Sequence, residues 1–345
     1  LFRQVRSVLK EWEADVSEGR DINYWDPVAT LREKYREKVR LGFANDVETP
    51  IWVDELLEIL QAFQVRLALG VARAVELNHG NLPTYLAFTV TSYEDVFGSD
   101  GKPRVDEQGR PFVRALRFEP HPLPLFLEGF VHSLKVQPDL ATALRLHETV
   151  RASGLYDREL KMYRNNVSLA GESHEIGRIR AFPPGWLENE AVFLHMEYKY
   201  LLELLKAGLV KEFFADAQTA LVPFLDPVRY GRSPLENSSF IASSVYPDPT
   251  LHGGGFVARL TGATAEFLNM WRIMMAGQKP FQIQGGELIL ALNPSLPGWL
   301  FPADGQLSFR LLGSCEVRLH NPTRLDTYDK DRKSTRLNSS HGYIS

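Results

Sequence analysis

Residues 251–277 read LHGGGFVARLTGATAEFLNMWRIMMAG. Three consecutive glycines, Gly253 to Gly255, do not belong inside a helix and mark a loop that lets backbone come close to another group. Downstream, Phe267, Leu268, Trp271, Met274 and Met275 recur at helical spacing. Thr261 stands at the junction, where a hydroxyl can cap the first free amides, and Gly262 has no side chain to block an approach to them. A hydroxyl, bare amides and the positive end of a helix dipole together make an anion site. An ordinary capped helix has the same residues, so what surrounds the turn decides between the two.

Upstream of this stretch the chain reads mostly as helix and loop. Charged helices are expected over 1–19 and 28–40, broken at 20–27, where Pro27 disfavours helix at Asp26. A turn over 46–50 leads to a long helix over 51–77, apolar on nearly all sides and therefore expected to be buried on two faces. Residues 80–120 carry glycine, proline and charge, with β-like pieces at 85–91 and 112–118, and read as a loop or small hairpin. Helix returns over 123–153, split near Pro138, and again over 189–207 and 210–221. Two long polar loops, 154–185 and 222–259, lie between. From Phe281 the pattern alternates with period two, at 287–292, 306–312 and 316–319. The expected fold class is mainly α: the C-terminal part of an (α/α)6 toroid over 1–278, then a small β-sheet cap domain over 279–322. Residues 323–345 read as a tail.

Bulk composition sets limits. The 345 residues are 44% hydrophobic and 24% charged, ordinary for a globular chain. The chain starts at Leu1, not Met, and we expect a piece lacking its N-terminal part. Residues 331–345 read as the translation of a sequencing adapter and are expected to be disordered. The formal charge of −4 argues against a nucleic-acid partner. No run approaches the length of a membrane span, so no membrane partner is expected. One cysteine, Cys315, excludes an internal disulfide and suggests a cytoplasmic, reducing location; it is expected in the core. Trp52 and Trp271 are expected in the core as well. Neither a His-x-x-x-His nor a Cys-x-x-Cys pair exists, so no metal is expected.

Leu260-Thr261-Gly262-Ala263-Thr264-Ala265 resembles the phosphate-binding turn of the inverting glycoside phosphorylases of glycoside hydrolase family 94. Trp186-Leu187-Glu188-Asn189-Glu190-Ala191-Val192-Phe193-Leu194-His195 is similar to the family's Glu-Asn-Gly-Gly-Ile-Phe-Cys-His stretch. The likeness runs from about Asp21 to Pro322. Two further stretches, Gly171 to Arg178 and Arg232 to Ser239, resemble the related β-1,3-oligoglucan phosphorylases.

The resemblance implies phosphate contacts from His195, Thr261 and Gly262, and sugar contacts from Glu188 and Asn189. Trp25, Trp186, Tyr24 and Tyr246 are loop aromatics that could stack on sugar rings or pack between loops. Glu236, Glu172 and Glu175 could hydrogen-bond hydroxyls. The family's acid lies in a Trp-Asn-Asp pattern; here the nearest match is Trp25-Asp26, without the intervening Asn. Asp26 is the expected general acid, with Asp21 a competitor. His174 and His252 either join the anion site or sit at the surface, and Arg178, Arg180, Arg232 and Arg259 are the nearest cations in sequence.

The family's phosphate arginine would lie upstream of Leu1, so residues 1–330 alone are expected to be inactive. The implied reaction is inverting phosphorolysis of a β-glucosidic bond, with a β-linked gluco-oligosaccharide and inorganic phosphate as substrates, no cofactor, and a homodimer as the assembly. Two rivals remain: an inverting hydrolase needing a second carboxylate, and a non-catalytic glucan-binding module.

Overall fold

The computed structural model describes residues 25–40, 42, 50–136, 139–257 and 261–329. The expected helix over 1–19, most of the turn over 46–50, Asp21 and the adapter-derived end lie outside them. The chain forms two compact units, Leu1–Leu123 and Pro124–Ser345.

The first unit holds helices α1 (Trp25–Arg40) and α2 (Val53–Leu77) and a hairpin of β1 (Leu86–Asp95) with β2 (Val113–Pro122). Helix α1 begins three residues before the expected 28–40. Pro27 therefore falls in its first turn, where the missing N–H costs no hydrogen bond. Helix α2 carries Asp54 and Glu55 in its first turn, which suits the positive helix end. Its expected burial on two faces is not found, because Ile59 is its one buried residue. Trp52, expected in a core, is 77% exposed. The hairpin pairs antiparallel from Leu86↔Pro122 to Asp95↔Val113, with register shifts on either side of Ser92.

The second unit is built around a central helix. Helices α3 (Leu127–Lys135) and α4 (Leu140–Ala152) lead to two-residue strands β3 (Tyr156–Asp157) and β4 (Met162–Tyr163). Asp139 caps α4 by accepting from the Thr142 N–H at 2.8 Å. Strand β5 (Val192–Phe193) feeds directly into α5 (Leu194–Lys206), and α6 (Val210–Ala220) and the short α7 (Pro227–Tyr230) follow. Helix α5 buries residues on every side, among them Leu194, Tyr198, Tyr200, Leu201 and Leu205, because α3, α6 and α8 (Ala263–Ala276) all pack against it.

Strands β6 (Phe240–Ile241) and β7 (Gly255–Phe256) complete a three-stranded sheet in the order β5-β6-β7. The chain then makes two more antiparallel hairpins, β8 (Phe281–Gln284) with β9 (Glu287–Leu290), and β10 (Gln306–Leu311) with β11 (Cys315–His320). Trp271 of α8 meets Phe309 of β10 edge-on at 5.6 Å. Tyr328 stacks on Phe214 of α6 at 5.7 Å, so residues past β11 also pack on the helices. Cys315 is exposed, contrary to the expected core position.

The expectation of a mainly α fold, part of an (α/α)6 toroid with a small cap, is overturned. Among the described residues the structure is mixed, 40% helical and 20% strand, with eight helices and several small antiparallel sheets. Part of the strand content lies beyond the β-like pieces that the sequence shows. The hairpin strands reach ten residues each, and the long polar loops close on themselves through two-residue strands too short to display a period. Among the described residues no helix is long and apolar enough to cross a membrane.

Candidate functional site

Two helix starts meet in the second unit. The β5-β6-β7 sheet sets the entry to α5, and the chain leaving β7 turns at Thr261 into α8. His195 is the second residue of α5, and Gly262 is the residue before α8. The imidazole lies directly on Gly262: a Cβ added there would stand 2.2 Å from His195 Cε1 and 2.3 Å from Nε2. Only glycine lets the two helix starts approach so closely. The Thr261 hydroxyl accepts the Ala263 N–H at 3.3 Å, which occupies one of the first free amides. Asn237, from the long loop between α7 and β6, donates to the Thr264 hydroxyl at 3.1 Å.

Sequence reasoning missed Glu266. Its Oε1 lies 3.4 Å from His195 Nε2, with the two side chains 20% and 26% exposed. The pair is 71 residues apart in sequence, and an acidic residue in a first helical turn is too common to single out. Burial is the largest influence on His195 and holds its pKa below the ordinary value. Lys199 and Lys135 push the same way, while Glu266 opposes them.

The turn matching the sugar-contact motif is built under constraint. Gly185 has φ of +80°, and a Cβ there would fall 2.5 Å from the Tyr246 nitrogen. Leu187 and Glu190 take φ of 52° and 55°, a left-handed conformation costly for non-glycine residues. Buried polar groups beneath hold it. The Glu190 N–H donates to Asn166 Oδ1 at 3.0 Å, and the Ser243 hydroxyl donates to the Glu190 carbonyl at 2.7 Å. Glu190 Oε2 lies 3.5 Å from Arg164 Nη1, yet burial, the larger effect, raises its carboxyl pKa. Asn165 Nδ2 donates to the Glu188 carbonyl at 3.0 Å.

The expected sugar contacts divide by exposure. Glu188 faces outward and accepts from Arg178 Nη2 at 2.8 Å. Asn189 is buried, donates to the Phe182 carbonyl at 2.8 Å, and leaves its Oδ1 without a partner. Trp186 has one face covered by Phe256, parallel within 3° at a 3.7 Å centroid distance, and Tyr246 follows at 5.1 Å. Phe256, Phe240 and Phe193 continue this ladder of rings to His195, which Phe193 meets edge-on at 6.2 Å. The sugar-motif turn and the histidine are thus joined by stacked side chains across the small sheet. Glu236 is paired with Arg232 at 2.7 Å and stays 44% exposed.

The remaining polar candidates are engaged elsewhere. Arg180 donates to the carbonyls of Leu169 and Ala170. Arg232 also donates to the Gly255 carbonyl at 2.9 Å. His252 donates from Nε2 to the Tyr246 carbonyl at 2.8 Å and so pins that loop, and His174 is exposed. Arg259 lies outside the described residues. Trp25 and Asp26 open α1 in the first unit, and their side chains are outside the described set. Among the described residues no group of His, Cys, Asp or Glu is placed to hold a metal ion.

No family model matches the chain, and no curated protein matches it.

Proposed function

We propose that the chain belongs to an inverting glycoside phosphorylase acting on β-linked gluco-oligosaccharides. The observation that supports this reading is the contact of the His195 ring with Gly262 beside the Thr261 hydroxyl. The resemblance pairs these three residues as phosphate ligands, and the two stretches carrying them come together at two helix starts. A phosphate oxygen attacks the anomeric carbon from the face opposite the leaving group. The glycosidic C–O bond breaks as the leaving oxygen takes a proton from a carboxylic acid, the role the resemblance implies for Asp26, and the product is α-glucose 1-phosphate. Phosphate arrives as an anion, so no second carboxylate is needed to activate water. Glu188 and Glu236 contact sugar hydroxyls, and Asn189 and Trp186 set the turn that carries Glu188.

Hydrolysis is the second reading, and one observation favours it: the site holds carboxylates, Glu266 at His195 and the raised-pKa Glu190 behind the sugar turn. Sugar release from β-1,3- and β-1,4-linked gluco-oligosaccharides with and without inorganic phosphate separates the two. The test is run on residues 1–330 and on the chain with any coding sequence upstream of Leu1. Phosphorolysis gives α-glucose 1-phosphate only when phosphate is present. Equal release in phosphate-free buffer sinks the proposal in favour of a hydrolase. Oligosaccharide binding without turnover in either form and either buffer makes the chain a binding module.

A further inference from the structure

Glu266 belongs to neither of the stretches that carry the resemblance, yet it is the group in closest polar contact with His195. Its carboxylate Oε1 lies 3.4 Å from Nε2. An ionised carboxylate only accepts, so Nε2 must carry a proton. In the neutral ring the lone pair is then on Nδ1, which has no hydrogen-bond partner among the described residues. The ring is not free to reorient, because Gly262 lies against the edge that carries both nitrogens and Phe193 stands edge-on to it.

We infer that Glu266 is a positioning residue for His195: it holds the imidazole by Nε2, presents Nδ1 to an oxyanion at the Thr261–Gly262 turn, and makes binding of that oxyanion take up a proton. The positioning half stands on the contact itself; the oxyanion half rests on the phosphate site proposed above. A neutral ring would aim the Nδ1 lone pair at an oxyanion and repel it. Once Nδ1 is protonated, from solvent or from a dihydrogen phosphate, the imidazolium donates to Glu266 on one side and to the oxyanion on the other. The charged groups facing His195 are Lys199 on its own helix, Lys135 from α3 and Glu266 from α8. Both lysines and burial oppose the proton, and among the described residues Glu266 is the group that favours it. A phosphate bound at the turn would add a second favourable charge.

The test follows the imidazole directly. The His195 C2–H resonance, assigned by its loss in His195→Gln, is titrated by proton NMR in the full chain, in wild type, Glu266→Gln and Glu266→Asp, with and without inorganic phosphate. Glu266→Gln is expected to lower the midpoint by roughly half a pH unit, the exposure of the pair limiting the effect, while Glu266→Asp keeps most of it. Phosphate raises the wild-type midpoint. Its dissociation constant falls roughly threefold or more from about pH 7 to about pH 5.5, and by less in the glutamine variant. A residue that only fills space would leave the midpoint where it was. Midpoints agreeing within about 0.2 unit in wild type and Glu266→Gln overturn the inference, whatever phosphate does. A midpoint that falls in Glu266→Gln but does not respond to phosphate keeps the positioning role and overturns the oxyanion half, and the phosphate reading with it.

Discussion

Helix α2 spends twenty-five residues to bury one, Ile59, whereas α5 buries ten of its thirteen, including Glu197 and Glu203. Both sequences are rich in leucine and valine or tyrosine, and both look apolar on most sides. The difference lies in the neighbours. Helix α5 is flanked by α3, α6 and α8, each of which presents an apolar stripe to it. Within its own unit α2 leaves Leu57, Leu60 and Leu67 exposed over half their surface or more. A helical period therefore states that a face is available for packing, and only the rest of the chain decides whether it is covered.

The sharpest way to break that contrast is to truncate one leucine on each helix. Leu201 on α5 is 0% exposed and Leu60 on α2 is 53% exposed. Leu201→Ala should cost about 2–5 kcal/mol, the transfer loss plus a cavity. Leu60→Ala should stay within about 0.5 kcal/mol, since alanine is the better helix former and little contact is lost. Urea unfolding monitored by circular dichroism reads both. Similar costs at the two positions would show that α2 is covered in solution and that the contrast is false.

A buried ionisable network gives the second unit a pH dependence of its own. His147 on α4 is 7% exposed and its Nδ1 is hydrogen-bonded with the Tyr200 hydroxyl at 2.9 Å. Burial, helped by Arg151, pushes its pKa down to about 4. As pH falls from the ordinary histidine value toward 4, the unfolded chain takes up a proton that folded His147 refuses. The stabilisation is complete above the ordinary value, is lost through that window, and changes no further below it. The full loss is about 3 kcal/mol.

Glu190, Glu197 and Asp216, with pKa values raised by burial, act in the opposite sense. Each contributes stability below its ordinary value and loses it as pH rises through its folded value, so the net acid limb is shallower than His147 alone would give. His147→Gln isolates the histidine's share. Between about pH 7 and about pH 4.5 the wild type should lose roughly 2 kcal/mol more than the variant in urea unfolding. Parallel losses would remove His147 as the cause.

The parts of this fold that could be read in advance are those with a long local period. The hairpin at 80–120, the split between α3 and α4, and helices α6 and α8 all stand within a few residues of where alternation or helical spacing puts them. Helical spacing puts the start of α5 five residues too early, because Val192 and Phe193 pair with Ile241 and Phe240 from a loop that carries no strand signal. Trp52 and Cys315 were misplaced for a related reason: residue type predicts average burial, and neither position has a covering neighbour in its unit. At the candidate site, Thr261 and Gly262 stand out as a helix-start turn in the sequence, and His195 enters only through the resemblance. Glu266, Asn237, Lys199 and the Arg164–Glu190 pair do not stand out, because they join the site through contacts between distant stretches of chain.

Gly262 offers the smallest test and connects packing to the site. Its φ of −63° and ψ of −13° are ordinary helical values, so alanine meets no backbone strain there. The cost of Gly262→Ala then comes first from the side chain nearest the new Cβ, the His195 ring, 2.2 Å away. Displacing the ring should cost about 1–3 kcal/mol and weaken its bond to Glu266. In a His195→Ala background the obstruction is gone, and the same substitution should be neutral within about 0.5 kcal/mol. The cycle measures how tightly the two helix starts are pressed together. Equal costs in both backgrounds would mean that glycine is needed at 262 for some partner other than the histidine. The glycine first read as making room for a ligand would then owe its place to neither the ring nor the backbone.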